Sequence, residues 1–153
     1  MSDSSPIIKD SSKMTLAQIE SFLQGATIPL RLASAGSDGV PLVSSLWYLY
    51  KQDAFYCATH KSSLLAKRLL ANPDCGFEVA ADSMPYCGVR GQGRVEVQEA
   101  GAEQLLTSLF SRYDIDADTY LAKWLMSRKD DEYVLRIAPS WLTSWDFSDR
   151  MAK

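Results

Sequence analysis

Five consecutive residues, Thr59, His60, Lys61, Ser62 and Ser63, bring together three hydroxyls, a lysine and the only histidine of a 153-residue chain. They follow a strand-like run, AFYCAT, and precede a short Leu-rich helix expected over 64–71 that closes at Asn72-Pro73. A helix N-terminus offers unpaired backbone N–H groups and about half a positive charge. Thr59, Ser62 and Ser63 add hydroxyl donors and Lys61 a point charge, enough to seat a phosphate without a glycine loop. The plain alternative is that Ser63 only caps the helix. Lys67 lies on the same helical face as Ser63 and fits either reading.

Other chemistry is sparse. The sequence has no paired-carboxylate motif and no histidine cluster, which argues against hydrolases, and no metal site is expected. Asp146 and Arg150 read as a surface ion pair rather than an acid–base couple. Cys57, Cys75 and Cys87 lack CxxC or metal-ligand spacing. Cys57 and Cys75 read as small buried hydrophobes, and the odd number suits a reducing cytoplasm. Gly88, Gly91 and Gly93 fit a bulged strand or a close backbone approach to a ligand, but not a dinucleotide fingerprint, because no helix opens after them. Arg90 and Arg94 alternate onto one strand face, as a solvated pair or as partners for a dianion across a dimer groove. Trp124 and Trp141 read as packing residues.

The elements that position these residues follow from composition and pattern. With 46% hydrophobic and 23% charged residues the chain reads as one soluble domain over 14–150 behind a disordered polar arm, 1–13. A formal charge of −3 gives no electrostatic footprint for nucleic acid, and no stretch is long enough to span a bilayer. A Thr-capped helix, TLAQIESFL, ends at Gly25. IPLRLASA, VPLVSSLWYLYK and AFYCAT follow as three strands, the first two joined through a GSDG turn. Beyond the 64–71 helix, CGFEVAA and YCGVRGQGRVEVQE are strands, AGAEQLLTSLFSRY and an Asp-capped DADTYLAKWLMSR are helices, and EYVLRIAP and SWLTSWDF are two closing strands. Seven strands without βαβ alternation give a mostly β fold, a small Greek-key-like antiparallel barrel with flanking helices. The long second strand is apolar on both faces, Leu42, Leu46, Tyr48 and Tyr50 on one and Val43, Trp47 and Leu49 on the other. That implies a cover for the second face, and a symmetry-related subunit is the simplest.

The run LASAGSDGVPLVSSLWYLYKQDAFYCATHKSSLLAKRLLANP resembles the N-terminal half of the pyridoxamine 5'-phosphate oxidase-like FMN-binding split barrels. PYCGVRGQGRVEV resembles their next long strand, and IAPSWLTSWDF the closing strands of one uncharacterised branch. The resemblance spans roughly 28–147. It implies a homodimer with two flavin sites at the subunit interface, in which the flavin exchanges hydride or electrons with an unknown small molecule. The phosphate would lie at Thr59, Ser62 and Ser63, with Lys61 or Lys67 adding charge, and the ring along Ser44, Ser45, Leu46 and Trp47 beside Ala58. The other subunit would contribute Arg90 and Gln92, and Trp145 either stacks at the rim or closes the barrel core. The chain also departs from the true oxidases. Ser44 stands where they carry an arginine, Leu65 where they carry a lysine, and Cys87-Gly88 where they carry Arg-Gln. Their C-terminal Arg-x-His has no counterpart. Charge on the phosphate must therefore come from Lys61, Lys67, Arg31 or Arg90, and oxidation of pyridoxamine phosphate is not expected. The alternatives to FMN are the deazaflavin coenzyme F-420 in a reductase, or a non-catalytic flavin or haem carrier, for which His60 is the one histidine available.

Overall fold

Alternating burial along the strands separates a barrel interior from an outer sheet face. The computed structural model describes residues 5–152. Its strands are β1 (Ile7–Ile8), β2 (Leu30–Ala35), β3 (Pro41–Leu46), β4 (Leu49–Lys51), β5 (Ala54–His60), β6 (Asp74–Ala80), β7 (Cys87–Gln98) and β8 (Glu132–Asp146). Its helices are α1 (Leu16–Gly25), α2 (Leu64–Ala71), α3 (Ala102–Arg112), α4 (Tyr120–Ser127) and α5 (Ser148–Met151). The strands form one sheet in the order β3-β2-β6-β7-β8-β5-β4, with β1 added parallel to β8 and every other pairing antiparallel. This curled, mostly antiparallel sheet is the split barrel expected.

The second strand differs from expectation. It is two strands, β3 and β4, which form opposite edges of the sheet, so one short stretch of chain supplies both ends of the curl. Trp47 and Tyr48 lie at the break, where the polar groups of Tyr48 bond outside the ladder. The Tyr48 N–H donates to Tyr113 Oη at 3.2 Å, and the Tyr48 hydroxyl donates to the Leu23 carbonyl at 2.6 Å. The cover for the second apolar face is also partly internal. Trp47 and Leu49 pack beneath α3, while Val43 on the same face stays 62% exposed.

Three further expectations are corrected. The two closing strands are a single β8, with Ser140 bulged between Trp141, opposite Gln92, and Pro139, opposite Gly93. Pro139 is tolerated because β5 stops at Ile137 and no neighbour on that side needs its missing N–H. Helix α4 is capped by Thr119, whose Oγ1 accepts from the Ala122 N–H at 3.2 Å, rather than by an aspartate. The segment expected as a disordered arm carries β1 against Trp141 and Leu142, and Ser12 Oγ lies 2.8 Å from Ser144 Oγ. Its first four residues lie outside the described ones.

The interior core joins Ile19 and Leu23 of α1 to Leu30, Leu32, Phe55, Val79, Leu135 and Ile137 of the sheet. Thr15 and Gln18 close a capping box on α1, as its sequence predicts. The far end of α1 is held by Arg112, whose guanidinium donates to the Gln24, Leu23 and Ala26 carbonyls at 2.7–2.8 Å and lies 4.6 Å from the Tyr48 ring. A cation on the last carbonyls of a helix complements its dipole.

Candidate functional site

Strand β5 delivers Thr59 to the start of α2, and the turn is fixed by the Lys61 N–H donating to the Asp131 carbonyl at 2.8 Å. Ser63 is the N-cap, its Oγ accepting from the Ala66 N–H at 3.0 Å. The same oxygen lies 3.0 Å from Thr59 Oγ1. Two hydroxyls sharing one hydrogen bond leave one O–H free to donate. The N–H groups of Leu64 and Leu65, the first two of the helix, have no intrahelical acceptor. Ser62 is exposed and turns both its N–H (3.1 Å) and its Oγ (2.7 Å) to His60 Nδ1. Lys61 Nζ sits 5.4 Å over the Tyr133 ring, and Lys67 is exposed on the helix. Ser63 is thus a cap, and the turn still presents donors and two cations that fit a phosphate.

A cavity of about 330 Å³ opens beside this strand end. Ser45, Leu46, Trp47 and Ala58, all expected ring contacts, form one side of it. Leu106 and Leu109 of α3, Leu121 and Leu125 of α4, and Pro29 and Glu132 complete it. Glu132 pairs with His60 across β5 and β8, and its side chain is 4% exposed and bonded to Arg128 at 2.9 Å. Trp47 is held flat by stacking on Tyr113 at 5.2 Å.

The remaining expected residues gather elsewhere. Cross-strand partners share a face. The row Ser45, Arg31, Glu78, Arg90 and Thr143 therefore runs across the outer sheet face beside the row Val43, Ala33, Gly76, Gln92 and Trp141. Arg90 lies 5.1 Å over Trp145, and Gln92 accepts from Trp141 Nε1 at 3.2 Å. Ser44 pairs with Leu32 and belongs to the opposite, inward face. A single chain does not join Arg90, Gln92 and Trp145 to the Thr59–Ser63 turn. The glycines of β7 are explained by packing: a Cβ on Gly88 would sit 2.5 Å from the Trp145 ring, and one on Gly93 would strike the Ala138 carbonyl beside the bulge. The expected Asp146–Arg150 pair is not formed. Asp146 instead accepts from the Ser148 hydroxyl and, at 2.9 Å, from the Ser148 N–H, which together hold its carboxyl below the usual range, and Arg150 lies over Phe147.

Sequence reasoning missed the cavity's far wall. The apolar stripe of α3 was visible, but Glu132, Arg128 and the α4 leucines carry no motif, and only folding brings them opposite Trp47. All three cysteines are free thiols, and burial pushes Cys57 up in pKa and Cys75 to about 12. Among the described residues no His, Cys, Asp and Glu cluster could hold a metal, and no helix is long and apolar enough to cross a membrane.

Comparison with known proteins agrees with this architecture. The sequence profile of pyridoxamine 5'-phosphate oxidase matches residues 15–146. Among solved structures, the conserved hypothetical protein Rv2991 from Mycobacterium tuberculosis superposes with a TM-score of 0.75 at 22% identity, covering 90% of this chain and 88% of that one. An F420 reductase gives 0.68 at 20% identity, over 79% and 93% of the two chains. HutZ, the haem storage protein from Vibrio cholerae, gives 0.65 at 16% identity, over 86% and 93%. At these identities the likeness is one of fold. No curated protein matches the sequence.

Proposed function

The chain belongs to the pyridoxamine 5'-phosphate oxidase family, and from that premise we propose that it is a cytoplasmic, homodimeric flavoprotein oxidoreductase that binds FMN. The observation that carries the reading is the Thr59–Ser63 hydroxyl pair, with one O–H to spare, set at a helix N-terminus beside an apolar cavity. The Thr59–Ser63 hydroxyl pair, the Leu64 and Leu65 N–H groups and Lys61 or Lys67 bind the phosphate, while Ser62 holds His60. Ser45, Leu46 and Trp47 orient the ring along β3, and the cavity behind them, walled by the α3 and α4 leucines, is left to the substrate. Arg90 and Gln92, on the outer face, complete the site from the partner subunit. A bound flavin supplies the hydride or electron transfer itself. Free thiols at all three cysteines suit a reducing compartment.

A deazaflavin is the second reading, favoured by the architecture shared with an F420 reductase. Its acidic tail needs a basic groove, however, and only Lys61 and Lys67 lie at the turn. Haem is disfavoured by His60. Its Nδ1 accepts from the Ser62 N–H, which puts the proton of the neutral ring on Nε2 and leaves no lone pair there for iron. The test is anaerobic reduction of the purified protein loaded with FMN or with the deazaflavin. Stoichiometric FMN uptake and bleaching by a nicotinamide donor support the proposal, FMN uptake without bleaching by any donor leaves a carrier, and failure to take up FMN overturns it.

A further inference from the structure

Glu132 is the one carboxylate on the wall of an otherwise almost wholly apolar cavity. We propose that this cavity binds a small, mostly apolar molecule bearing a single N–H or O–H donor, which Glu132 accepts. The Glu132 side chain is only 4% exposed. Among the described residues its one side-chain hydrogen bond is from Arg128 Nε to Oε1, at 2.9 Å. Arg128 is itself seated over Trp124, 4.4 Å from the ring centre, and so is drawn toward α4. Among the described residues no donor reaches the second carboxylate oxygen, which is not fully buried. At the wall of an apolar cavity such an oxygen is an acceptor that a ligand N–H or O–H can complete.

The walls decide the rest of the ligand. Leu106, Leu109 and Leu125 offer no polar group, and Trp47, braced by Tyr113, offers a flat one. A volume of about 330 Å³ suits a molecule of one or two rings. A carboxylate or phosphate at the Glu132 end is rejected by like charge. This names the substrate class of the proposed oxidoreductase. It rests on that reading for the molecule's being a substrate, but not for its binding.

Indole and benzofuran make the direct probe, because they share shape and differ by an N–H donor replaced with an oxygen acceptor. Calorimetric titration of the wild-type chain should show indole binding at least about tenfold more tightly. Glu132→Gln should narrow that preference, and Leu125→Trp should weaken both ligands by filling the cavity, thermal melts confirming that each variant folds. Equal affinities for the two probes, no binding of either, or an unchanged preference in folded Glu132→Gln would overturn the inference. FMN titration run in parallel separates the two claims. FMN uptake without indole preference removes the pocket assignment alone, and indole preference without FMN uptake removes the flavin reading alone.

Discussion

Trp47 and Tyr113 lie nearly parallel, 18° apart, with ring centroids separated by 5.2 Å. The stack ties the break between β3 and β4 to the end of α3, and so fixes one wall of the cavity. The Tyr113 hydroxyl extends the tie, accepting from the Tyr48 N–H and donating to the Ile28 carbonyl at 3.0 Å. Tyr113→Phe keeps the stack and strands the N–H of a fully buried residue. It should cost about 1–3 kcal/mol in urea unfolding. A loss under a few tenths of a kcal/mol would show that the break is held by other contacts.

Arg112 should matter more. It serves three carbonyls at the end of α1, that of the Ala26 cap included, and two tyrosine rings, and no carboxylate pairs with it among the described residues. Arg112→Met keeps much of the aliphatic bulk and abandons those carbonyls, for an expected loss of at least about 3 kcal/mol by the same assay. Arg112→Lys should recover only part of it, because a point charge does not reproduce the planar fork. Full recovery by lysine would mean that charge alone is what the helix end needs.

How much of this was legible in the sequence depends on whether the signal is local. The Thr15 cap, the Asp38-Gly39 turn and the Ser63 cap were readable because each is settled within a few residues. The broken second strand was not. Its alternation runs unbroken through Trp47 and Tyr48, and the groups that divert it, Tyr113 and the α1 carbonyls, are distant in the chain. The single β8 was misread as two strands because Pro139 looks like a terminator, although it falls where β5 has ended. The phosphate turn was visible as a cluster of residue types, whereas the cavity wall was not, since Leu121, Leu125 and Glu132 meet Trp47 only after folding.

Alkaline pH should destabilise the protein. Burial raises the pKa of Cys57, Cys75, Tyr48 and Tyr50, Cys75 to about 12. In the unfolded chain these groups lose protons near their ordinary values, while the folded chain retains them. Their contribution is therefore fully present below the ordinary thiol pKa and is lost as pH rises toward the folded values. Each group removes up to about 1.4 kcal/mol per pH unit. Urea midpoints should fall from about pH 9, cysteines first and tyrosines above about pH 10. A flat profile from pH 8 to about pH 11 contradicts this assignment.

The homodimer proposed above uses the outer sheet face, and Gly76 tests it cleanly. A Cβ at Gly76 meets nothing closer than 3.8 Å, so a side chain there fits the single chain. Gly76→Glu should melt like wild type yet sediment as a monomer at micromolar concentration. A dimer that survives the substitution places the interface elsewhere.

Pyridoxamine 5'-phosphate should not be oxidised at a useful rate, because the C-terminal Arg-x-His of the true oxidases has no counterpart here and Ser44 stands where they carry an arginine. Robust turnover by pure, FMN-loaded protein would refute this.

The phosphate seat at the start of α2 is the central claim, and comparing FMN with riboflavin, which lacks the phosphate, tests it most directly. Both are titrated against wild type and against Thr59→Ala and Ser63→Ala, with melts recorded in the absence of ligand. A hydrogen bond to a charged group is worth about 1.5–3 kcal/mol, so each variant should lose roughly ten- to a hundredfold in FMN affinity and little for riboflavin. Ser63→Ala should also lose on the order of 1 kcal/mol of stability as a cap. If FMN and riboflavin bind wild type equally, or the variants melt earlier while FMN affinity is unchanged, the turn is a helix cap alone and the account is wrong.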